Sequence, residues 1–211
     1  GVTVIEERAR FTGPRLVCSD SVEVRARFFV IATGSIPVLP PIDGLDTVPF
    51  HTNETIFNDP EKPDHLAIIG GGPIGVEMAQ AHRRLGCRVT LIEAASVLGN
   101  DDPDVSEILK ERLQTEGVKL FEGVGVAEVQ GSAGDLTLTL ADGNMVAASH
   151  LLVATGRQAC VDGLGLHEAG IAVGRNGIVT DRRLRTSDRR VFAIGDVTGR
   201  PRFTHVAGYH A

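Results

Sequence analysis

The sequence predicts an α/β protein that contains a parallel sheet followed by an antiparallel β-meander. An apolar run at residues 66–69 is typical of a buried parallel strand, and a glycine-rich stretch, a helical segment and a second strand at residues 89–93 follow it. Later in the chain, the alternating run at residues 136–140 indicates an antiparallel strand with one buried face. This order of elements favours a Rossmann-like domain that ends in a meander.

The glycine-rich stretch has the G-x-G-x-x-G spacing of a dinucleotide-binding turn. Gly70 permits a tight turn, Gly72 has no Cβ that would block a pyrophosphate, and Gly75 lets the helix pack closely on the strand. The unpaired N–H groups and the dipole at the start of the helix then attract phosphate. The predicted cofactor-binding residues of this turn are Gly70, Gly71, Gly72, Pro73, Ile74 and Gly75.

Glu93 ends the second predicted strand, and its position bears on the choice of nucleotide. A carboxylate there accepts hydrogen bonds from the ribose hydroxyls of NAD and repels the 2′-phosphate of NADP. The next residues, Ala94, Ala95 and Ser96, include no Arg or Lys that could receive such a phosphate. The sequence therefore favours NADH over NADPH.

Two other apolar strands end alike. Residues 28–34 and 150–156 each finish on Ala-Thr-Gly, and small residues at the end of a buried parallel strand let a ligand approach the backbone. A third strand, at residues 190–194, leads to Gly195 and Asp196, whose carboxylate can accept hydrogen bonds from a polyol chain. The repetition suggests two nucleotide-binding sheets.

Prolines, glycines and helix-capping aspartates predict where elements and domains end. Prolines cluster near residues 37–41 and 60–63, which indicates connections between domains. We expect a helix over about 103–116, with Asp101 or Asp102 as its N-cap and Gly117 as its stop. A short strand is also expected at residues 2–5.

Composition excludes several classes of function. The 211 residues carry a formal net charge of −6 without a marked basic cluster, so nucleic acid is not an expected partner. No apolar run approaches the ~18 residues needed to span a bilayer, so no membrane partner is expected. Cys18, Cys87 and Cys160 form no C-x-x-C pair, which fits a reduced, cytoplasmic compartment. The seven histidines are scattered, and we expect no metal site.

The ordered set of motifs resembles the pyridine nucleotide-disulfide oxidoreductases, most of all their dihydrolipoamide dehydrogenase and mercuric reductase branch. The motifs are Ala32-Thr33-Gly34-Ser35, residues 70–77, Glu93, Ala154-Thr155-Gly156-Arg157 and Ala193-Ile194-Gly195-Asp196. The resemblance covers nearly the whole chain. It implies a Rossmann-like NAD-binding domain, residues 60–160, inserted in an incomplete FAD-binding domain made of residues 1–59, which include a linker, and residues 161–211.

The resemblance also implies roles for residues at both cofactors. On the FAD side, Thr33, Gly34 and Ser35 would touch the cofactor, and Asp196 would hold its ribityl hydroxyls. The segment that would meet the isoalloxazine consists of Arg202, Phe203, Thr204 and His205. On the NAD side, the implied contacts are Glu77 near the nicotinamide, Val126 near the adenine, and Gly156.

Other family features do not occur in these 211 residues. The family's own FAD glycine motif, its C-x-x-x-x-C redox pair and its C-terminal dimerisation domain are missing, and the chain begins with Gly1. We therefore expect a segment of a longer, homodimeric FAD-dependent enzyme that passes hydride from NADH to FAD and on to a disulfide or metal substrate. The segment alone contains no catalytic residue and is expected to be inactive. Two alternatives stay open: a non-catalytic NAD-binding module, and a flavin-dependent NADH oxidase or reductase without a redox cysteine pair.

Overall fold

A computed structural model of the chain describes residues 1–199 and 203–211. The chain divides into two compact units. The first unit comprises residues 1–36 and 157–211, and the second comprises residues 37–156. Among the described residues, none of the helices is both long and apolar enough to cross a membrane.

The amino-terminal part of the first unit consists of short strands. These are β1 (Arg10–Gly13), β2 (Leu16–Cys18), β3 (Glu23–Arg25), β4 (Phe29–Ile31) and β5 (Ser35–Pro37). The first three form an antiparallel sheet. The strand expected at residues 2–5 is wrong, because no strand forms there and Val2 and Val4 are exposed. Their β-branched side chains favour a strand, but they pack against no buried surface that would stabilise one.

The second unit is a mixed α/β structure with a parallel sheet, as the sequence predicts. Its elements are β6 (His65–Ile69), α1 (Pro73–Arg84), β7 (Arg88–Glu93), α2 (Pro103–Thr115), β8 (Lys119–Glu122), β9 (Val126–Ser132), β10 (Asp135–Leu140), β11 (Met145–Ala148) and β12 (His150–Val153). The parallel sheet has the order β12-β6-β7-β8, and an antiparallel sheet has the order β11-β10-β9. The predicted meander is therefore the second of these sheets.

Residues 37–59, which the sequence grouped with the preceding part, lie in the second unit. Backbone pairing explains this difference. The N–H of His51 donates to the carbonyl of Leu151, and the N–H of Val153 donates to the carbonyl of His51. Pairing of this kind with a distant strand leaves no local signal, whereas the proline-rich stretch at residues 60–63 does.

The parallel sheet of the second unit is covered on both faces. Along β6, Ala67 and Ile69 pack into one apolar cluster with the meander, while Leu66 and Ile68 pack into the other. The second cluster includes Val76 of α1 and other residues of the two helices. Successive side chains of a strand point to opposite faces, so an uninterrupted apolar run fits a strand buried on both sides.

The helix ends agree with the sequence signals. Helix α1 begins at Pro73 and ends at Arg84, and its C-cap Leu85 is followed by Gly86 at φ +90°. Helix α2 has Asp102 as its N-cap, whose side chain accepts a hydrogen bond from the N–H of Asp104. Gly117 follows α2 with φ +90°. Glycine adopts this left-handed conformation without the steric cost of a Cβ.

The remainder of the first unit adds β13 (Arg157–Ala159), β14 (Val173–Gly174), β15 (Gly177–Ile178), β16 (Val191–Ala193) and α3 (Thr204–His210). Strand β16 runs parallel to β4, and β13 pairs with β5. A separate apolar cluster forms the core of this unit and includes Phe11, Ile31, Ile178 and Val191.

Candidate dinucleotide-binding sites

The glycine turn lies between β6 and α1, at the carboxyl end of the parallel sheet. Gly70 has φ +111°, and a Cβ there would lie 2.6 Å from the carbonyl carbon of Ala154. Its N–H donates to the carbonyl of Ile92 at 2.9 Å. The turn is thus held against the ends of both neighbouring strands, β12 and β7, and only glycine fits at its first position.

The next glycines differ in the space around them. A Cβ on Gly75 would collide with the carbonyl oxygen of Gly70, so the helix can pack on the turn only with glycine there. A Cβ on Gly72 would meet nothing within 4 Å, although its backbone, at φ −73° and ψ −178°, would accommodate any residue. Gly72 is therefore required by neither packing nor backbone strain, and its open side is free for a ligand.

Helix α1 presents its amino end to that open side. Pro73 occupies the first helical position, and Gly72 is the N-cap without a side-chain cap. Val76 is the first residue whose N–H bonds back into the helix, to Gly72, at 3.0 Å. The N–H groups of Ile74 and Gly75 precede the first intrahelical bond, and such groups bind phosphate at helix starts.

Glu93 ends β7 beside this turn. Its Oε2 accepts a hydrogen bond from the N–H of Gly71 at 2.6 Å, and its Oε1 accepts one from the N–H of Ala95 at 2.8 Å. These two bonds orient the half-buried carboxylate. Each carboxylate oxygen can accept a further hydrogen bond, as contact with a diol would require.

A cleft of about 530 Å³ adjoins the end of β8. Its lining residues are Leu120, Phe121, Glu122, Gly123, Val124, Gly125, Ala141 and Asp142. Glu122, the last residue of β8, is in register with Glu93. Val126, the predicted adenine contact, begins β9 directly after this cleft and is half-buried.

The two remaining residues predicted at NAD are both exposed. Glu77 lies on the second turn of α1. Gly156 follows β12 and has φ +129°. A Cβ added at this residue would point into open space. Because Ala154 and Thr155 approach the backbone of Gly70, Gly156 lies at the same edge of the sheet as the glycine turn.

A second group of predicted residues meets in the first unit. β4 and β16 are parallel neighbours, so the residues after them come together at one edge. There the hydroxyl of Ser35 donates to Oδ2 of Asp196 at 2.6 Å. Gly34 has φ +70° and open space beside it, and the hydroxyl of Thr33 donates to the carbonyl of Cys160 at 2.8 Å.

Arg157 belongs to this group, although the sequence did not predict it as a site residue. Its Nε donates to the hydroxyl oxygen of Ser35 at 2.7 Å, and its Nη2 donates to the Ser35 carbonyl. Ser35 therefore links a guanidinium to the carboxylate of Asp196. The signal was its position directly after the second Ala-Thr-Gly.

The segment predicted at the isoalloxazine is described only from Phe203 onwards. Arg202 lies outside the described residues. Phe203 is the N-cap of α3, which begins at Thr204, and its ring stacks on that of His205 with centroids 5.4 Å apart. At the other end of α3, Nδ1 of His210 accepts a hydrogen bond from the N–H of Gly195, so this helix packs beside the Gly195-Asp196 turn.

Relatives of known name resemble the chain over nearly all of its length. It is 41% identical over 191 residues to a mercuric reductase of Streptomyces lividans, which corresponds to 89% of this chain and 40% of that protein. It is 36% identical over 208 residues to a glutathione reductase of Burkholderia cepacia, with 98% and 46% covered. The chain thus spans less than half the length of these relatives.

Solved structures agree. The Cu(II) complex of the HOCl-induced flavoprotein disulfide reductase RclA from Escherichia coli superposes with a TM-score of 0.92 and 33% identity, over 99% of this chain and 48% of that one. The family described as pyridine nucleotide-disulphide oxidoreductase matches residues 1–211. The chain therefore belongs to the pyridine nucleotide-disulphide oxidoreductases, which are FAD-dependent enzymes that use NAD(P)H.

Proposed function

We propose that residues 37–156 are the NADH-binding domain of a longer oxidoreductase, and that residues 1–36 and 157–211 contribute to its FAD-binding domain. When bound, NADH supplies a hydride and FAD accepts it. The residues of this chain bind and orient the two dinucleotides. The observation that carries the proposal is the open side of Gly72, beside the free N–H groups of α1 and the carboxylate of Glu93.

The surroundings of Gly72 support a pyrophosphate at this position. The backbone conformation and packing would tolerate a side chain, yet the residue is glycine and faces open space. A pyrophosphate placed there would accept hydrogen bonds from the first turn of α1 and would interact favourably with the helix dipole.

The setting of Glu93 supports NADH over NADPH. Backbone N–H groups on two sides keep the carboxylate oriented at the end of β7, where ribose hydroxyls would donate to it. A 2′-phosphate in that position would be repelled by the same carboxylate. The cleft that ends near Val126 has room for the adenine.

The Ser35–Asp196 pair supports a flavin contact in the first unit. Asp196 accepts one hydrogen bond from Ser35 and has further lone pairs for the hydroxyls of a ribityl chain. The guanidinium of Arg157 adds a positive charge beside the same serine, where it would attract the anionic pyrophosphate of FAD.

The proposed final acceptor is a disulfide or a metal ion. This part of the proposal is supported by relatives named mercuric reductase and glutathione reductase, and by the Cu(II) complex of the RclA reductase. We also propose that the longer protein is a homodimer that associates outside these 211 residues. The isolated segment should bind NADH weakly, retain little flavin and turn over no substrate.

A pair of glycine substitutions tests the nucleotide site. Gly72→Ala should leave the unfolding temperature of the full-length protein unchanged, because the new methyl group meets no protein atom. It should weaken NADH binding roughly tenfold or more, because the methyl group occupies the space of the pyrophosphate. Fluorescence titration with NADH and a thermal melt measure the two effects. Gly75→Ala, by contrast, should destabilise the protein because its Cβ collides with the Gly70 carbonyl.

Two controls complete this test. Gly13→Ala, at the last residue of β1 where a Cβ also meets open space, should change neither quantity. Glu93→Ala should weaken NADH binding by a few-fold to tens-fold, on the order of lost charge-assisted hydrogen bonds, and should shift the NADH-to-NADPH affinity ratio towards NADPH. Wild-type NADH affinity in Gly72→Ala would contradict the proposed site, and an unchanged ratio in Glu93→Ala would contradict the proposed preference.

A further inference from the structure

Three metal-ligating side chains from distant positions converge in the second unit. His51, Asp59 and His150 each offer one ligand atom, and these atoms all lie within 4.8 Å of one another. His51 pairs through its backbone with β12, His150 is the first residue of β12, and Asp59 ends the 3₁₀ helix Ile56–Asn58. Sheet pairing therefore brings the two histidines together, and the segment between His51 and β6 supplies Asp59.

The two distances from the Asp59 carboxylate to the histidine nitrogens match the spacing of ligand atoms around a tetrahedral metal ion. Oδ2 of Asp59 lies 3.3 Å from Nε2 of His51 and 3.4 Å from Nε2 of His150. Tetrahedral Zn²⁺ with bonds of about 2.05 Å holds its ligand atoms about 3.3 Å apart. The imidazole rings are stacked, with centroids 6.1 Å apart and planes 12° from parallel, so both can point an Nε2 to the same side.

The hydrogen bonds behind His150 prepare its Nε2 as a ligand. The hydroxyl of Ser149 donates to the carbonyl of His65 at 3.1 Å, so its hydrogen is already used. While Ser149 donates there, its 2.9 Å contact with Nδ1 of His150 is compatible with the tautomer in which Nδ1 carries the hydrogen and Ser149 accepts. In a neutral ring this leaves a lone pair on Nε2 facing the carboxylate of Asp59. A proton on the imidazole or a metal ion between the two atoms makes this contact favourable.

Asp59 is held in a similar way. Its Oδ1 accepts a hydrogen bond from the N–H of Glu61 at 3.0 Å, which leaves Oδ2 directed at the two imidazoles. Outer contacts that orient a histidine and a carboxylate are typical of metal sites. The ligand side chains are partly exposed, at 24% for each histidine and 18% for Asp59, so an ion could enter and retain a water as fourth ligand.

We propose that His51, Asp59 and His150 form a binding site for one divalent transition-metal ion of the Zn²⁺ type. Two imidazole nitrogens with one carboxylate oxygen are a ligand set typical of such borderline ions. Mg²⁺ and Ca²⁺ bind mainly to oxygen ligands. The ion would fasten the segment that contains His51 and Asp59 to the start of β12. This is the opposite end of β12 from Ala154 and the glycine turn.

Metal titration of the full-length protein, freed of metal and of any affinity tag, tests the site. Zn²⁺ should bind in one equivalent by calorimetry and raise the unfolding temperature, because it binds the folded state. Co²⁺ should give the visible absorption bands of a tetrahedral complex. Asp59→Asn keeps an oxygen for the N–H of Glu61 but removes the charge, and it should weaken Zn²⁺ binding roughly tenfold or more, as should His150→Gln.

A histidine outside the site provides the matched control. His167 is exposed and lies in the first unit, so His167→Ala should bind Zn²⁺ as the wild type does. Asp59→Asn should keep the NADH affinity of the wild type. If wild-type protein binds no Zn²⁺, or if Asp59→Asn and His150→Gln bind it as tightly as wild type, the proposal is overturned. X-ray absorption of the Zn²⁺-loaded wild type is an independent measurement, and a coordination shell without two imidazoles would also overturn it.

Discussion

Strands β4 and β12 are followed by the same tripeptide, Ala-Thr-Gly, and their ends are bonded alike. After β4, the hydroxyl of Thr33 donates to the carbonyl of Cys160, and the N–H of Cys160 donates to the carbonyl of Gly34. After β12, Thr155 and Gly156 make the same pair of bonds with Val38, with matching distances of 2.8 and 3.0 Å. The repeated tripeptide therefore specifies a repeated backbone clamp.

The strands themselves differ in burial. At equivalent positions, Val30 of β4 is 61% exposed, whereas Leu152 of β12 is fully buried. Strand β12 belongs to a four-stranded sheet with apolar clusters on both faces, while β4 forms a two-stranded sheet with β16 within residues 1–199 and 203–211. Three residues suffice to specify the end of these strands, whereas burial of each strand depends on how many elements surround it.

The largest expected effect separates the two strands by burial. Leu152→Ala should destabilise the second unit by about 2–5 kcal/mol, because it leaves a cavity in a closed core. Val30→Ala should change stability by about 0.5 kcal/mol or less in the 211-residue segment, because the side chain is exposed. Urea unfolding followed by hydrogen exchange in each unit measures both. A large cost for Val30→Ala in this segment would contradict the comparison.

Lowering the pH should also destabilise the second unit, by less than Leu152→Ala does. The side chain of Arg84, with help from Arg112, holds the pKa of Glu116 down to about 2, compared with an ordinary value of 4.5. A lowered pKa stabilises the folded second unit above pH 4.5, and this contribution is lost as the pH falls from 4.5 towards 2.

The test of this pH dependence is Glu116→Gln. The variant should be less stable than wild type at pH 7, and the two unfolding curves should converge near pH 2. Hydrogen exchange should locate the change in the second unit. A constant difference between the two proteins across the whole pH range would show that charge is not the cause.

The smallest expected effect tests the shared clamp directly. Thr33→Val and Thr155→Val each remove one hydroxyl that donates to a carbonyl at 2.8 Å. Each should cost about 1 kcal/mol, since both hydroxyls are exposed and water can replace part of the lost bond. Thermal unfolding measures the two costs. A cost at only one of the two positions would break the equivalence of the clamps.

Local patterns predicted much of the second unit. The turn at Gly70, the N-cap at Asp102 and the stop at Gly117 depend on a few neighbouring residues, so their identity reveals their conformation. The strand expected at residues 2–5 was wrong, because a strand also needs a partner that the local pattern does not reveal.

The candidate sites also include some contacts that a local pattern predicts and others that depend on distant residues. The glycine turn and Glu93 could be predicted because one βαβ unit contains them and their spacing is characteristic. The contacts of Arg157 with Ser35, and of Ser35 with Asp196, join residues separated by 122 and 161 positions. Their order along the chain suggested a relation between them, but only the pairing of β4 with β16 and of β5 with β13 showed which atoms meet.

The amino-acid order alone was enough for the α/β class with its parallel sheet, the conformation of the glycine turn and the helix ends, because these depend on interactions within a few residues. The tertiary structure decided that residues 37–59 join the second unit and that His51, Asp59 and His150 share one small volume. No spacing rule connects those three positions, because strand pairing across about half of the chain brings them together. Interactions of this range leave no periodic signal in a sequence.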